Sequence, residues 1–462
     1  MTCSIAGAGM QPTKFIPGLL TRLRLEVSLM DTPAPQQTST DANPSLKESF
    51  FVWLKVGLLS FGGPAAQIAL MHRLIVAEKR WLSEKQYLNA LSFCMLLPGP
   101  EAMQLATYAG WRSRGISGGL IAGLLFVIPG AIVIAALALI YSLYGDVALV
   151  NTLFLGVKAA VIVVVLEALF RVAKKALSSN LHWLIALLAF IGIFFLNLPY
   201  PLIVLAAATF GFFFLSQPAD TQAVTSPDRG MLNTTIKTVV IWLLIWTCPF
   251  IMIMLFNGSD FLLQIGSFFS RLAVVTFGGA YAVLAYLGQE VVTDFGWLSA
   301  GEMMDGLGLA ETTPGPLILV TEFVGFIAGF SEGGILMAIA AAVLTLWVTF
   351  VPCFLWIFAG APYIEWLGNQ SRLRGALSAI TAAVVGVILN LSMWFALHVL
   401  FGNVSHVFAG PFQLWIPEIN TINWIVALLT VLCTVAAFIL HWNIAAILFT
   451  SALLGLFLSL VT

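Results

Sequence analysis

Two basic residues stand at matched places in this chain, each six positions before a Phe-Gly-Gly triplet. The basic residues are Lys55 and Arg271, and the triplets are Phe61-Gly62-Gly63 and Phe277-Gly278-Gly279. A positive side chain attracts an anion, and the free N–H groups at the start of a helix bind one. Glycine lets the backbone approach such a ligand closely. The pattern therefore predicts an anion-binding site made of these residues.

A Pro-Gly-Pro motif follows each triplet at the same distance. The two motifs are Pro98-Gly99-Pro100 and Pro314-Gly315-Pro316, and Trp-Leu-Ser triplets that begin at Trp81 and Trp297 precede them. All nine positions match at one offset of 216 residues without a gap, which indicates a duplicated structural unit. Each motif interrupts an apolar run near its middle. Pro100 and Pro316 are expected to be the first helical residues after the interruptions.

Five polar residues beside the Pro-Gly-Pro motifs are further candidates for the site. Gln104, Thr312 and Thr313 are assigned to substrate binding, and the threonine hydroxyls donate hydrogen bonds either to an oxyanion or to interrupted backbone. Glu101 either caps the helix after the first break or takes up a coupling proton. Glu322 is a second candidate proton carrier, because an acid inside a membrane marks a functional site by default.

Each of these features also has a structural interpretation. Lys55 lies near the start of its apolar run and could extend to the membrane surface. Gly-Gly pairs also let helices pack closely, and a Pro-Gly-Pro motif also makes a simple bend. The matched positions in the two halves favour a shared site over these interpretations. Lys158 either adds positive potential or reaches the outer surface, and its spacing from Glu167 argues against a direct pair.

The composition sets the class of protein. Hydrophobic residues make up 60% of the chain and charged residues 9%, and the mean hydropathy is +1.01. Soluble domains carry about 25% charged residues. Continuous apolar runs of about 20 residues match the thickness of a bilayer, so we predict an all-α polytopic membrane protein. The net charge of −1 gives no argument for a nucleic-acid partner, and the five scattered cysteines predict neither a metal site nor a cofactor.

Apolar and polar stretches divide the chain into two repeats. Residues 1–48 are predicted to be a disordered cytoplasmic tail, and residues 216–236 a cytoplasmic loop. The first transporter repeat is assigned to residues 49–215 and the second to residues 258–462, with a connecting transmembrane helix at 237–257. Nine spanning helices are predicted, at 117–142, 151–172, 181–197, 201–215, 237–257, 334–358, 375–400, 422–440 and 444–461.

The basic residues orient the two repeats in opposite directions. Residues 71–117 contain six Lys or Arg, whereas the matching window 287–333 contains none. Loops rich in Lys and Arg stay in the cytoplasm, so the first window is predicted inside and the second outside. Each repeat is expected to hold two broken or re-entrant helical hairpins and about four spanning helices, in inverted topology. The odd number of spans places the N-terminus in the cytoplasm and the C-terminus in the periplasm.

Inverted repeats with interrupted helices are the pattern of secondary transporters, whose site lies between the repeats near the middle of the membrane. Interrupted backbone leaves polar groups unpaired, which a membrane tolerates only where protein or a water-filled cavity covers them. Helix N-termini that converge on Lys55 and Arg271 would make an electropositive pocket. The residues by themselves therefore predict a transporter of anions, in particular of multivalent oxyanions.

The segment from Pro98 to Trp111 reads PGPEAMQLATYAGW. Together with Phe61–Pro64 and the matching triplets of the second half, it resembles the chromate ion transporter family in its long, two-domain form. The resemblance covers residues 50–460. It implies an exporter in the bacterial inner membrane that is driven by the proton motive force, lowers cytoplasmic chromate and so confers resistance.

Other functions stay open on the sequence. Chromate and sulfate are tetrahedral dianions of nearly equal size, so a transporter of sulfate or another oxyanion is the first alternative, and a passive anion channel is the second. An enzyme is not expected, because the broken segments offer no nucleophile and base apart from Cys94. The expected partners are a small oxyanion and the lipid bilayer, and a homodimer is an open alternative to a monomer.

Overall fold

A computed structural model of the chain describes residues 44–145, 147–215, 229–256, 258–277, 279–364, 366 and 370–461. Most of the predicted tail, the greater part of the predicted loop between the repeats, and Gly278 of the second triplet lie outside these residues. Residues 46–48, which were assigned to the tail, belong to the first helix. Residues 229–236 of the predicted loop belong to the helix that connects the repeats.

In the described part of the first half, seven helices precede the connecting helix. Their bounds are α1 Leu46–Leu59, α2 Gly63–Met71 with a π-helical extension His72–Glu78, α3 Glu84–Cys94, α4 Glu101–Tyr144, α5 Ala148–Ala176, α6 Asn180–Phe194 and α7 Tyr200–Phe214. The connecting helix is α8, Arg229–Leu255. One side of it packs on α12, and none of the residues in its central apolar stretch is fully buried within the part of the chain that the structure describes, as expected for a helix that faces lipid on its other side.

The second half repeats this order of elements. The bounds are α9 Asp260–Val275, α10 Ala280–Gln289 with a π-helical extension Glu290–Asp294, α11 Ala300–Thr312, a 3₁₀ turn Leu317–Leu319, α12 Val320–Gly360 with a 3₁₀ turn Ala361–Tyr363, α13 Ser371–Leu400, the antiparallel hairpin β1 Val404–Ala409 and β2 Phe412–Pro417, a 3₁₀ turn Ile419–Thr421, α14 Trp424–Phe438 and α15 Ile444–Val461. The described residues of the first half contain no counterpart of this hairpin.

All nine segments that were predicted to span the membrane are helical, so the chain is an all-α polytopic membrane protein with one small exposed hairpin. Among the described residues, five helices are long and apolar enough to cross a bilayer: α4, α5, α8, α12 with its flanking turns, and α13. Helices α6, α7 and α14 have only 15 residues each. At 1.5 Å per residue they reach about 22 Å, which is less than the ~30 Å hydrocarbon layer.

Helix α4 folds back on itself and is a helical hairpin. Its helical geometry fails at Arg114 and Gly115, and Gly115 has φ +64°, which favours glycine. A Cβ atom on Gly110 would overlap the carbonyl oxygen of Gly118, although residues eight apart in a straight helix are about 12 Å apart. The arms 101–113 and 117–144 therefore lie side by side, and small residues let them pack closely.

Helix α12 folds back in the same way. The reversal lies at Gly333 and Gly334, and Gly334 has φ +70°. Gly329 packs against Ala338 and Ala341 on the returning arm. The predicted spans 117–142 and 334–358 are thus the second arms of two hairpins. The first arms are the helices that follow the two Pro-Gly-Pro motifs.

The two halves interlock instead of forming separate domains. Helices α6 and α7 pack on α13 of the other half, whereas α14 and α15 pack on α5. The contacts use small residues at matched positions, with Gly211 against Ala379 and Gly455 against Gly156. Residues 44–462 accordingly form one compact unit. Inverted orientation of the two halves stays a prediction.

Contacts between loops follow the predicted topology. Gln289, in the window predicted outside, donates a 2.7 Å hydrogen bond to Asn197. The loop at Asn197, between the predicted spans 181–197 and 201–215, also falls outside when the nine spans alternate. Lys79, in the window predicted inside, forms a 2.7 Å ion pair with Glu48, before the first apolar run. Loops that were assigned to the same face therefore contact one another. The assignment of the faces to cytoplasm and periplasm stays a prediction.

Candidate functional site

The Phe-Gly-Gly triplets separate α1 from α2 and α9 from α10. Gly62 and Gly63 have φ +81° and +77°, and Gly279 has φ +98°. Residues other than glycine rarely adopt these φ values. The triplets therefore interrupt the helix. Phe61 and Gly62 are exposed, whereas Gly63, Phe277 and Gly279 are half-buried. Nothing is described for Gly278.

The Pro-Gly-Pro motifs are buried turns before the first arms of the two hairpins. Gly99 has φ +114° and Gly315 has φ +94°. The prediction that Pro100 and Pro316 are the first helical residues is wrong by one position. Both have extended backbone, with ψ 104° and 138°, and serve as N-caps. Helix α4 therefore begins at Glu101.

The helix before each of these motifs, α3 or α11, starts at a capping box. Ser83 accepts a hydrogen bond from the backbone N–H of Gln86, and the Gln86 side chain accepts one from the backbone of Ser83. Ser299 and Glu302 make the same pair of bonds in the second half. A capping box fixes where a helix starts, so α3 and α11 approach the Pro-Gly-Pro motifs from equivalent positions.

The motifs of one half pair with the triplets of the other half. The backbone N–H of Gly99 donates to the carbonyl of Thr276, and the N–H of Gly315 donates to the carbonyl of Ser60, each at 2.9 Å. Ser60 and Thr276 are the residues before the two Phe-Gly-Gly triplets. The four interruptions are therefore joined two by two across the repeats, and each pair contains one break from each half.

Two buried glutamines bond to carbonyls of the breaks, one glutamine at each junction between the halves. The Gln67 amide donates to the carbonyls of Gly315, at 2.7 Å, and of Ser60, at 3.2 Å. Gln104 donates at 2.7 Å to the carbonyl of Pro98. Both side chains are buried, and the amide oxygen of each has no hydrogen-bond partner. Gln67 joins the two halves directly and was missed by the sequence reasoning, which saw it only as part of an apolar run.

The two threonines before the second Pro-Gly-Pro motif bond to their own helix. The Thr312 hydroxyl donates to the carbonyl of Leu309, at 2.9 Å, and the Thr313 hydroxyl donates to that of Ala310, at 3.1 Å. Thr312 is exposed and Thr313 is buried. In this structure the hydroxyls satisfy the carbonyls at the end of α11, as threonines near helix ends commonly do.

The two matched cations lie on exposed faces of their helices. Lys55 and Arg271 are both exposed, and each lies five residues before the carbonyl that accepts the bond between the repeats. Neither forms an ion pair within the part of the chain that the structure describes. Burial and Asp294 raise the pKa of Glu290, while the nearby Arg271 opposes this rise. An acid therefore lies near one of the two cations.

The two candidate proton carriers differ in their surroundings. Glu101 is half-buried in the first turn of α4. Glu322 is 2% exposed, and its Oε2 atom has no hydrogen-bond partner. Burying an unpaired carboxylate charge is costly, so the protonated form suits this position.

Two polar contacts in the structure were missed by the sequence reasoning. Lys158 of α5 pairs with Asp305 of α11 at 3.3 Å, and Tyr281 of α10 donates to Glu311 at 2.8 Å. Asp305 and Glu311 are both buried. The sequence did point to these two acids, because acidic residues between apolar neighbours in a membrane protein are rare and mark functional positions. Asp305 and Glu311 lie in the window 287–333, of which the sequence analysis used only the absence of Lys and Arg.

Sequence comparison agrees with the duplicated architecture. Two regions, residues 47–212 and 263–456, match the family described as chromate transporter, and together they cover more than half of the chain. This chain belongs to the chromate transporter family. The matched regions correspond to α1–α7 and α9–α15, and α8 lies between them. Membership also makes the chain a transporter and not an enzyme, as the sequence predicted.

Curated members of the chromate transporter family match across most of their length. The probable chromate transport protein of Synechococcus elongatus is 30% identical over 74% of this chain and 83% of its own. The chromate transport protein of Pseudomonas aeruginosa is 32% identical over 76% and 82%, and that of Cupriavidus metallidurans is 29% identical over 78% and 84%. No solved structure matches the chain. The family resemblance of the sequence is confirmed.

Proposed function

We propose that this protein exports chromate across the bacterial inner membrane, driven by the proton motive force, and thereby confers resistance. Membership of the chromate transporter family and the chromate transport proteins among its relatives support the substrate. The predicted topology, with the N-terminus in the cytoplasm and the C-terminus in the periplasm, completes the proposal. Export and its driving force rest on the arguments that follow.

The reciprocal pairing of the breaks is the observation that carries the proposal. Gly99 and Gly315 hold the Pro-Gly-Pro motif of each half against the triplet of the other. Movement of one half relative to the other must therefore change both junctions together, as alternating access between two repeats requires. Helices α2 and α10 begin at these junctions. The free N–H groups at their N-termini are therefore available to bind an anion.

The charge of chromate favours export from a cell. With an interior-negative potential of about 100 mV, each exported negative charge gains about 2.3 kcal/mol. A dianion gains about 4.6 kcal/mol, which corresponds to a concentration ratio of roughly three orders of magnitude. The electrical part of the proton motive force is thus sufficient for efflux. Glu101 and Glu322 are the proposed carriers for any additional proton coupling.

Flux in inside-out membrane vesicles tests the proposal. Such vesicles should take up labelled chromate when the membrane potential and pH gradient of the cell are imposed, and the uptake should collapse when both are dissipated. Excess sulfate added outside measures selectivity. Sulfate taken up in preference to chromate would identify a sulfate transporter. Flux that follows only the potential of the anion, with no response to a pH gradient at clamped potential, would identify a passive channel.

A further inference from the structure

A polar cavity of about 440 Å³ lies between α4, α5, α11 and α12. Serine, asparagine and tyrosine side chains line much of it, among them Tyr141, Ser142, Asn151 and Ser331. All its lining residues belong to loops and helix segments on the face that is predicted to be periplasmic. A tetrahedral oxyanion with a shell of water fits a space of this size and polarity.

One ion pair lies against this cavity. Lys158 and Asp305 both line it, with Nζ and Oδ2 3.3 Å apart. The Lys158 side chain is 23% exposed, so the cation reaches the cavity, whereas the Asp305 side chain is only 2% exposed. Tyr141 donates a 2.8 Å hydrogen bond to the same Oδ2 atom.

The pair leaves hydrogen-bonding capacity unused. The second carboxylate oxygen of Asp305, Oδ1, is buried and has no hydrogen-bond partner. A structural ion pair is stable in a low-dielectric site only if further hydrogen bonds satisfy its oxygens. Gly301 lies beside Lys158, where a Cβ atom would come within 3.1 Å of Nζ. The absence of a side chain there keeps the ammonium group accessible from the cavity.

We propose that Lys158 is a second oxyanion-binding site, and that Asp305 is an internal counter-anion which the transported oxyanion displaces. The inference rests on the proposed function, since it requires an anion substrate. Asp305 neutralises Lys158 while the cavity is empty. A substrate oxyanion takes its place during transport, and the return of Asp305 to Lys158 then releases the substrate to the periplasm.

Protonation of Asp305 must favour the bound oxyanion, because only the ionised carboxylate competes for Lys158. The charged and titratable groups that act on Asp305 are Lys158 of α5, Tyr141 of α4 and Glu302 of its own helix. Acid should therefore strengthen oxyanion binding at this site. Because the periplasm is the more acidic side under a proton motive force, release at this site must be driven by the membrane potential and not by the pH gradient.

The counterpart of this pair, made like the pair itself of one residue from each half, carries no charge. The offset of 216 residues places Asn89 opposite Asp305. The contacts of Gly156 with Gly455 and of Ala379 with Gly211 align α5 with α13, which places Thr381 opposite Lys158. The proposed site therefore belongs to one face of the transporter only, as expected for a site that acts in release.

Binding of radiolabelled chromate to the purified protein tests the inference. Asp305→Asn should bind at least about tenfold more tightly than the wild type at about pH 8, because a competing charge at contact distance has been removed. The ratio should fall towards one as the pH is lowered, because protonation of Asp305 in the wild type removes the same competing charge. Chromate itself changes protonation in this range, but the comparison at equal pH cancels that effect.

Further variants separate a binding role from a structural one. Lys158→Gln with Asp305→Asn should bind at least about tenfold more weakly than Asp305→Asn alone, and its thermal stability should stay close to that of the wild type, because neither charge is left unpaired. The Asp305→Asn effect should persist in a Lys55→Gln background. Lys237→Gln, which removes an exposed cation from α8, is the control and should bind like the wild type.

The outcomes distinguish the two proposals. A wild type that neither binds nor transports chromate overturns the proposed function, and this inference with it. A wild type that transports chromate, with Asp305→Asn binding no more tightly at any pH, overturns the inference alone. Loss of the Asp305→Asn effect in the Lys55→Gln background also overturns it, because the two sites would then be one.

Discussion

The two halves of the chain build the same backbone junction and surround it with different side chains. Gly99 and Gly315 donate equivalent hydrogen bonds of 2.9 Å to the opposite half. Gln67, which bridges one junction, is matched by the apolar Val283. The backbone geometry is therefore common to both junctions, whereas the glutamines that support them, Gln67 and Gln104, both belong to the first half.

Charge also breaks the symmetry of the duplication. Lys158 and Asp305 form a pair beside a cavity, and the matching residues Thr381 and Asn89 are neutral. A perfectly symmetric duplication would present the same chemistry to both faces of the membrane. The shared backbone junctions therefore allow the two halves to move relative to each other, and the differing side chains distinguish one face of the membrane from the other.

The halves are expected to differ most in the side of the membrane on which their matched loops lie. Glu78 and Asp294 are matched and exposed, so a cysteine at each position reports on an equivalent place. In intact cells, a membrane-impermeant thiol reagent should label Asp294→Cys and leave Glu78→Cys unlabelled. Wild-type protein gives the background from native cysteines. Labelling of both variants or of Glu78→Cys alone would contradict the inverted arrangement.

The next largest effect is expected at the glycines that make the junctions. Gly99→Leu and Gly315→Leu should each abolish transport, because a side chain at positive φ costs about 1–2 kcal/mol and must also overlap its neighbours. A Cβ atom at Gly99 would lie 2.9 Å from the sulfur of Cys353, and one at Gly315 would lie 2.9 Å from Leu319.

Vesicle flux, normalised to the amount of protein in the membrane, measures both glycine variants. Gly288→Ala is the matched control, since the nearest atoms to its Cβ would be 3.8 Å away. Normal flux in either leucine variant would show that the junctions need not keep their present geometry. A difference between the two variants would show which junction transport depends on more.

The matched cations should have a smaller but clear effect. Lys55→Gln and Arg271→Gln should each lower chromate flux at least about tenfold, since each removes a positive charge near a helix terminus. Lys47→Gln, two turns earlier on the same exposed helix α1, should transport normally. Unchanged flux in both variants would show that these cations only extend to the membrane surface.

The smallest expected effect concerns the glutamine found in only one half. Gln67→Val places, at the junction of Gly315 with Ser60, the residue type that stands at the matching position of the second half. It also removes two hydrogen bonds to buried carbonyls. It should lower the free energy of unfolding by about 1–3 kcal/mol, seen as a lower midpoint of thermal unfolding in detergent. The chromate flux of Gln67→Val should fall by a smaller factor than the flux of Lys55→Gln or Arg271→Gln. Val283→Gln is the reciprocal variant, and an unchanged midpoint for Gln67→Val would mean that the junctions hold without an amide.

Much of this protein follows from local sequence. Apolar runs fix which segments are helical in a membrane, because a buried backbone must bond to itself. Glycine and proline at Gly62, Gly99 and their counterparts fix where the helices stop, because these residues favour or enforce non-helical geometry. The internal repeat, the family and the positions of all four breaks could therefore be predicted.

Only the tertiary structure decided which breaks meet and which charges pair. The bonds from Gly99 to Thr276 and from Gly315 to Ser60 cross between halves, and the pairing of Lys158 with Asp305 joins distant helices. No periodicity in the sequence records such contacts, because they depend on how the two hairpins and the interlocked helices pack. Packing small residues at the reversals brings these backbones together. The sequence determined the elements and their interruptions, and the packing of the two halves made those interruptions into junctions.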